Sequence, residues 1–377
     1  MKKLLKKKSI IICLVLFIIG VPVMSFVMIH NLYTSNFARV GMPEYTGWLR
    51  YDDLTGYDRK MVEFKSGENM LTGYIYGEEN TKGLVVIAHG LGGGAESYMA
   101  ETVYFVDAGW KVFSYDCTGS YRSEGDSTMG LPQSALDLDA ALSYVEEQEW
   151  GLPVMLYGHS WGGYAVGAVL NYDHDIAAAV SISGYATPMA LLDEQSSDIM
   201  GWLAKVLYPF ESIYQKVRFG DAADLSAIDG INKNEIPVMI IHGTEDEAIK
   251  YDGAAIIAHK GEITNPQAVY KVCDTKDHNN HNNLFMSDAS VEYVTEVNAE
   301  YETLYEKYEG EIPDDEKEKF YAGVDKFLTS SLDMDFMNEV NTFFEDRINR
   351  LVKYSVPTYL GDAIPVSRNG DVMNYED

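Results

Sequence analysis

Gly158-His159-Ser160-Trp161-Gly162 has the glycine spacing that lets a chain turn sharply around a serine. A chain of 377 residues with average glycine and serine usage would hold such a pentapeptide about 0.1 times by chance. The apolar run Val154-Met155-Leu156-Tyr157 precedes it, and a small-residue stretch from Trp161 to Leu170 follows. That order predicts strand, turn, helix. The glycines allow the tight turn, the serine hydroxyl projects above the sheet edge, and the helix N-terminus adds positive potential there. The alternative is a glycine-rich turn around an ordinary serine.

A serine nucleophile needs donors for the developing oxyanion, a base, and an acid that orients the base. Upstream, His89-Gly90-Leu91-Gly92-Gly93-Gly94 follows an apolar run ending at Ala88. Such a turn can aim the Leu91 N–H at an oxyanion, with the Trp161 N–H as the second donor; His89 is expected to brace the loop. Ile240-Ile241-His242-Gly243-Thr244-Glu245-Asp246 offers the acid, Asp246, with Glu245 and Glu247 as solvated neighbours. Asp277-His278-Asn279-Asn280-His281 carries two histidines after the last expected strand. His281 is the favoured base and His278 the alternative. A metal site built on this His-x-x-His pair lacks a further ligand set.

These residues need a scaffold. Met61–Phe64 and Leu71–Tyr76 read as a hairpin, and Leu84–Ala88 and Lys111–Tyr115 as strands. Further apolar strands are expected at Val154–Tyr157, Ala178–Ile182, Val238–Ile241 and Ala268–Val272. Helical stretches run from Glu96 to Asp107, Pro132 to Glu147 and Trp161 to Leu170. Alternating strands and helices imply a mostly parallel sheet with helices on both faces. Two segments break the rhythm. Residues 187–233 form a lid-like helical insertion with exposed-looking Met200, Trp202, Leu203, Leu207 and Phe210. Residues 286–351 read as an acidic helical extension, and 352–377 as a tail. Residues 286–330 hold 13 acidic and 4 basic side chains, and carry an apolar stripe of Val291, Val294, Tyr301, Tyr305 and Tyr308. Phe336, Val340, Phe344, Ile348 and Leu351 make a second stripe.

The formal charge is −29, although Lys2, Lys3, Lys6, Lys7 and Lys8 crowd the first residues. So acidic a body repels phosphate backbones, which excludes nucleic-acid binding. Three cysteines make no disulfide framework. Ile10 to Ile29 is almost wholly apolar, and twenty helical residues rise about 30 Å, the thickness of a hydrocarbon core. Residues 1–30 therefore read as a lysine cluster and an uncleaved transmembrane signal anchor, with the N-terminus cytoplasmic and the body outside. A cleaved signal peptide is the rival reading. Residues 31–56 read as a tether and 57–285 as the core.

The order Ser160, Asp246, His281, behind a His-Gly-x-Gly-Gly turn, resembles the α/β-hydrolase superfamily over roughly residues 59–285. Within it the chain is most similar to lid-bearing serine hydrolases of the monoacylglycerol lipase-like and serine aminopeptidase-like kind. Asp116-Cys117-Thr118-Gly119-Ser120-Tyr121-Arg122-Ser123-Glu124-Gly125 resembles a loop of that group, with Thr118 where arginine is usual and Tyr121 where glycine is usual. The resemblance implies an α/β-hydrolase fold of eight strands, the second antiparallel, with a helical lid at the 187–233 insertion. Together with the N-terminal anchor and the apolar insertion, it points to a membrane-held serine esterase acting on small-molecule acyl or aryl esters, with no metal or organic cofactor required. The alternatives are an aminopeptidase-like serine peptidase, an acyltransferase, and a non-catalytic binding protein on the same fold. Protein partners are left open.

Overall fold

Leu84-Val85-Val86-Ile87-Ala88 is apolar at every position because both of its faces are covered. Leu84, Val86 and Ala88 join one buried cluster, and Val85 and Ile87 the other. The computed structural model describes residues 20–355. One eight-stranded sheet comprises β1 (Arg59–Ser66), β2 (Asn69–Tyr76), β3 (Leu84–Ala88), β4 (Lys111–Tyr115), β5 (Val154–His159), β6 (Ile176–Ile182), β7 (Val238–Gly243) and β8 (Ala268–Cys273). The spatial order is β1-β2-β4-β3-β5-β6-β7-β8. β2 runs antiparallel to both β1 and β4, and every other pairing is parallel. This is the eight-stranded α/β-hydrolase sheet with its antiparallel second strand.

The helices, in chain order, are α1 (residues 20–36), α2 (Met99–Asp107), α3 (Gln133–Glu147), α4 (Trp161–Val169), α5 (Pro188–Met200), α6 (Trp202–Phe219), α7 (Ala227–Lys233), α8 (Asp288–Lys307), α9 (Asp314–Ala322), α10 (Lys326–Thr329) and α11 (Met334–Ser355). On one face of the sheet, Leu138 and Leu142 of α3, Tyr164 and Val166 of α4 and Ile231 of α7 pack on Val86, Phe113 and Leu156. On the other, Phe105 of α2 and Met337, Val340 and Phe344 of α11 pack on Val85, Val112 and Tyr157.

The segments at the margins depart from the expected boundaries. The expected tether does not hang free: α1 continues to residue 36, and Tyr33, Phe37, Thr46 and Leu49 are buried. Its aromatic side chains find partners. Phe26 meets Phe210 edge-on at 6.0 Å, Tyr33 lies 4.9 Å from Tyr214, and His30 Nδ1 stands 3.1 Å from the Tyr214 hydroxyl. The backbone then pairs in both directions with the loop after β4, Val40 N–H to Gly119 and Tyr121 N–H to Val40.

The 187–233 insertion is not lid throughout. α7, its last part, is core, because Gly167 and Gly230 let α4 and α7 touch along their backbones; a Cβ on Gly230 would strike the Gly167 carbonyl. Within α6, Leu207 is buried and Phe210 is packed against the core, whereas Trp202 and Leu203 are exposed. α11 is likewise core rather than acidic extension. The acidic, largely exposed part is α8 to α10, fastened where Lys326 meets Asp53 at 2.9 Å and Ser330 Oγ accepts the Leu49 N–H. The lysine cluster, the first half of the expected membrane span and residues 356–377 of the expected tail lie outside the described residues. Among the described residues no helix is long and apolar enough to cross a membrane.

Candidate active site

β5 delivers Ser160 directly. Its last residue is His159, and α4 starts at Trp161, so Ser160 alone makes the turn, at φ 60° and ψ −116°. The flanking glycines are required by contact as well as by the bend. A Cβ on Gly158 would collide with the Gly162 carbonyl, and a Cβ on Gly162 with the Ala88 carbonyl. The turn is thus pressed against the end of β3.

The structure brings three of the expected residues into one chain of contacts. The Ser160 hydroxyl lies 2.8 Å from His281 Nε2, and His281 Nδ1 lies 2.7 Å from Asp246 Oδ2. Asp246 follows β7 and His281 follows β8, so two loops at neighbouring strand ends supply acid and imidazole. Asp246 is 4% exposed. Burial alone would raise its pKa. The hydrogen bonds from His242 and His281, together with the N–H groups of Ile249 and Ala248 at 2.9 and 3.0 Å, hold the carboxyl well below the usual carboxylate range instead. The acid is therefore ionised at neutral pH and, accepting from Nδ1–H, leaves His281 Nε2 as the acceptor for the serine proton.

His278 takes no part in this chain. Its Nε2 meets Asp288 at 2.8 Å and its Nδ1 faces the Asn283 carbonyl at 3.3 Å. Glu245 and Glu247 are exposed. Among the described residues no group of acidic, histidine and cysteine side chains could hold a metal ion.

The turn after β3 stands beside the serine: a Cβ on Gly90 would lie 3.5 Å from that of Ser160. His89 is buried and clamps this turn. Its Nε2 accepts the Cys117 N–H at 2.9 Å, so its Nδ1–H donates to the Gly90 carbonyl at 2.8 Å. Burial pushes the ring's pKa down to about 4, so it braces as a neutral group. With Gly90 held, Leu91 is the next N–H along, and Trp161 supplies a first-turn helix N–H that has no partner within α4.

The loop after β4 accommodates both unusual residues. Thr118, through N–H and hydroxyl, contacts the buried Asp137 at 2.7 and 2.9 Å. Tyr121 adopts φ 39° and covers Gly94, with its hydroxyl 3.0 Å from Ser97 Oγ. The helical insertion is tied to the acid's loop: Glu194 of α5 accepts the N–H groups of Lys250 and Ala254 at 3.0 and 2.7 Å.

Sequence reasoning missed His242, whose Nε2 lies 3.2 Å from Asp246 Oδ2 and 2.8 Å from the Ile249 carbonyl. It also assigned nothing to Tyr98 and His159. His159 is visible in the pentapeptide, but no local signal marks Tyr98.

Residues 79–228 match the family described as serine aminopeptidase, S33. Among curated proteins none matches the chain. Solved structures similar to it include the Pyrococcus furiosus esterase Pf2001, at 19% identity over 71% of this chain and 95% of that one, TM-score 0.49. Another is Est1E from Butyrivibrio proteoclasticus with ferulic acid bound, at 20% identity over 64% of this chain and 98% of that one, TM-score 0.46. A third is the Pyrococcus horikoshii acylaminoacyl peptidase, at 18% identity, TM-score 0.46; it covers 62% of this chain but 39% of that one. From its own sheet order and its serine turn, the chain has the α/β-hydrolase fold, and over residues 79–228 it is similar to the serine aminopeptidase family of hydrolases.

Proposed function

We propose that the chain is a serine hydrolase that cleaves carboxylic esters, with Ser160 as nucleophile, His281 as base and Asp246 as the orienting acid. The observation that carries this reading is the continuous contact from Ser160 Oγ through His281 to a buried, ionised Asp246. As the serine oxygen attacks the ester carbonyl, His281 Nε2 takes its proton, and Asp246 stabilises the imidazolium. The Leu91 and Trp161 N–H groups receive the oxyanion. The imidazolium then protonates the leaving alcohol, and a water activated by the same imidazole releases the acid and restores Ser160. Apolar side chains exposed on the insertion, Trp202, Leu203, Ile213 and Val217, favour substrates with acyl or aryl groups.

The reading includes attachment to a membrane through the N-terminus, with the catalytic body outside the cytoplasm. Its support is the apolar run Ile10–Ile29 behind five lysines, and the exposed Val23, Met24, Val27 and Met28 on α1. Alkaline carbonate extraction that released the full chain from membranes would remove this part and leave the chemistry standing.

The full chain in detergent should label with a fluorophosphonate and hydrolyse short p-nitrophenyl esters, and Ser160→Ala should do neither. Indistinguishable behaviour of the two proteins overturns the proposal. The likeness to the serine aminopeptidase family favours a second reading, peptide bond cleavage. It would be preferred if aminoacyl p-nitroanilides were turned over faster than the esters.

A further inference from the structure

His159 separates Gly158 from the serine, and the reaction above gives it nothing to do. It is nonetheless buried, with both ring nitrogens engaged. Nε2 lies 2.8 Å from the backbone carbonyl of His281, and Nδ1 lies 2.8 Å from the Tyr98 hydroxyl. Tyr98 in turn accepts the Gly90 N–H at 3.0 Å.

The proton positions follow from the partners. A carbonyl oxygen can only accept, so His159 carries its proton on Nε2 and donates it to His281. Nδ1 is then an acceptor, so the tyrosine hydroxyl donates to it. That hydroxyl keeps a lone pair for the Gly90 N–H. One directed chain therefore runs from the turn beside Ser160, through Tyr98 and His159, to the backbone of the residue proposed as base.

The rings agree with this order. His159 lies 5.0 Å, centroid to centroid, from His281, and Phe285 meets it edge-on at 5.3 Å. Burial, and then the neighbouring His281, push the His159 pKa down to about 3, so it stays neutral when His281 is charged. A second cation 5.0 Å from an imidazolium would oppose proton transfer to it.

We propose that Tyr98 and His159 are positioning residues that hold the oxyanion turn and the base in mutual register. The proposal rests on the serine hydrolase reading given above. His281 sits on the polar loop after β8, whose asparagines at 279, 280 and 283 hydrogen-bond within the loop and to the loop after β7 rather than to β5. The His159 Nε2–H supplies a fixed point on β5, the strand that carries the nucleophile. The same ring, through Tyr98, restrains Gly90, one residue before the expected oxyanion donor Leu91. Displacements of about 1 Å in such groups cost up to about 100-fold in rate.

The test uses the full chain in detergent and compares wild type with Tyr98→Phe, His159→Leu, His159→Gln and the double variant Tyr98→Phe/His159→Leu. Failure of the wild type to label with fluorophosphonate or to hydrolyse a p-nitrophenyl ester defeats the hydrolase reading itself. With an active wild type, His159→Leu should lower kcat roughly 10- to 100-fold with KM within about two-fold. His159→Gln, whose amide can donate to the His281 carbonyl, should recover a substantial part. The double variant should be no worse than His159→Leu, because both changes cut one chain. A His159→Leu enzyme within about two-fold of wild type, a Gln variant as poor as Leu, or multiplicative losses in the double variant overturns the proposal. Should His159→Leu fail to fold, Tyr98→Phe decides alone: unchanged kcat refutes it, and a lowered kcat at unchanged KM and melting temperature sustains it.

Discussion

Ser160 sits in backbone geometry that side chains avoid, at a cost of roughly 1–3 kcal/mol, and the sheet and helix on either side hold it there. Glycine would relax that cost. Ser160→Gly should therefore raise stability by about 1 kcal/mol over Ser160→Ala, while both lose fluorophosphonate labelling; chemical denaturation of the two variants measures the difference. The imidazole can be tested in the same way. His281→Ala should abolish labelling and His278→Ala should leave it near wild type, because His278 is turned toward Asp288. Asp246→Asn should retain the fold and lose on the order of 10,000-fold in kcat, the expected consequence of presenting the wrong imidazole tautomer to the serine. At this scale the sequence was informative where chemistry demanded particular neighbours, as around Ser160. It favoured His281 over His278 but kept both open, since they lie in the same polar loop and the path of that loop is what separates them.

Two apolar stripes lie in the C-terminal third, and the pattern alone does not say which one meets the sheet. Phe344 of α11 is fully buried against Phe105 and Trp110, whereas Tyr305 of α8 is 47% exposed. Phe344→Ala should cost about 3–5 kcal/mol in urea unfolding, and Tyr305→Ala less than about 1. Equal small costs would mean that α11 is an appendage. The same reasoning explains the end of the insertion: Ala227 and Gly230 of α7 and Gly167 of α4 are small, and that is what lets α7 approach α4. At the other end of the chain, polar residues between 31 and 56 look like a spacer. Tyr33, Phe37 and Leu49, spread thinly among them, make it a docked strap.

Across the whole molecule, charge and burial meet most sharply at Glu101. This α2 carboxyl is 3% exposed, and among the described residues no basic side chain pairs with it. Burial pushes its pKa from 4.5 to about 7. A carboxyl whose folded value is raised contributes its full stability below the unfolded value and loses it as pH climbs through the folded one. Relative to wild type, Glu101→Gln should therefore gain stability between about pH 5 and about pH 8.5, by roughly 2–3 kcal/mol, read from urea midpoints at each pH. A constant difference across that range would show that the carboxyl is not buried in solution. The acidic helices α8 to α10 add to the overall charge of −29 but stand in water, where each carboxylate is screened.

By itself the sequence determined the order of strands and helices, the serine turn and the acidic character of the surface. Each is written in neighbours a few residues apart: periodicity, glycine spacing, net charge. Tertiary structure decided that the favoured His281 and not His278 reaches Ser160, and it alone decided which amphipathic helix closes the sheet and that His159 and Tyr98 link β5 to two loops. Those outcomes depend on where segments 61 and 122 residues apart come to lie, and a hydrogen bond a few ångströms long has no local signature in a chain.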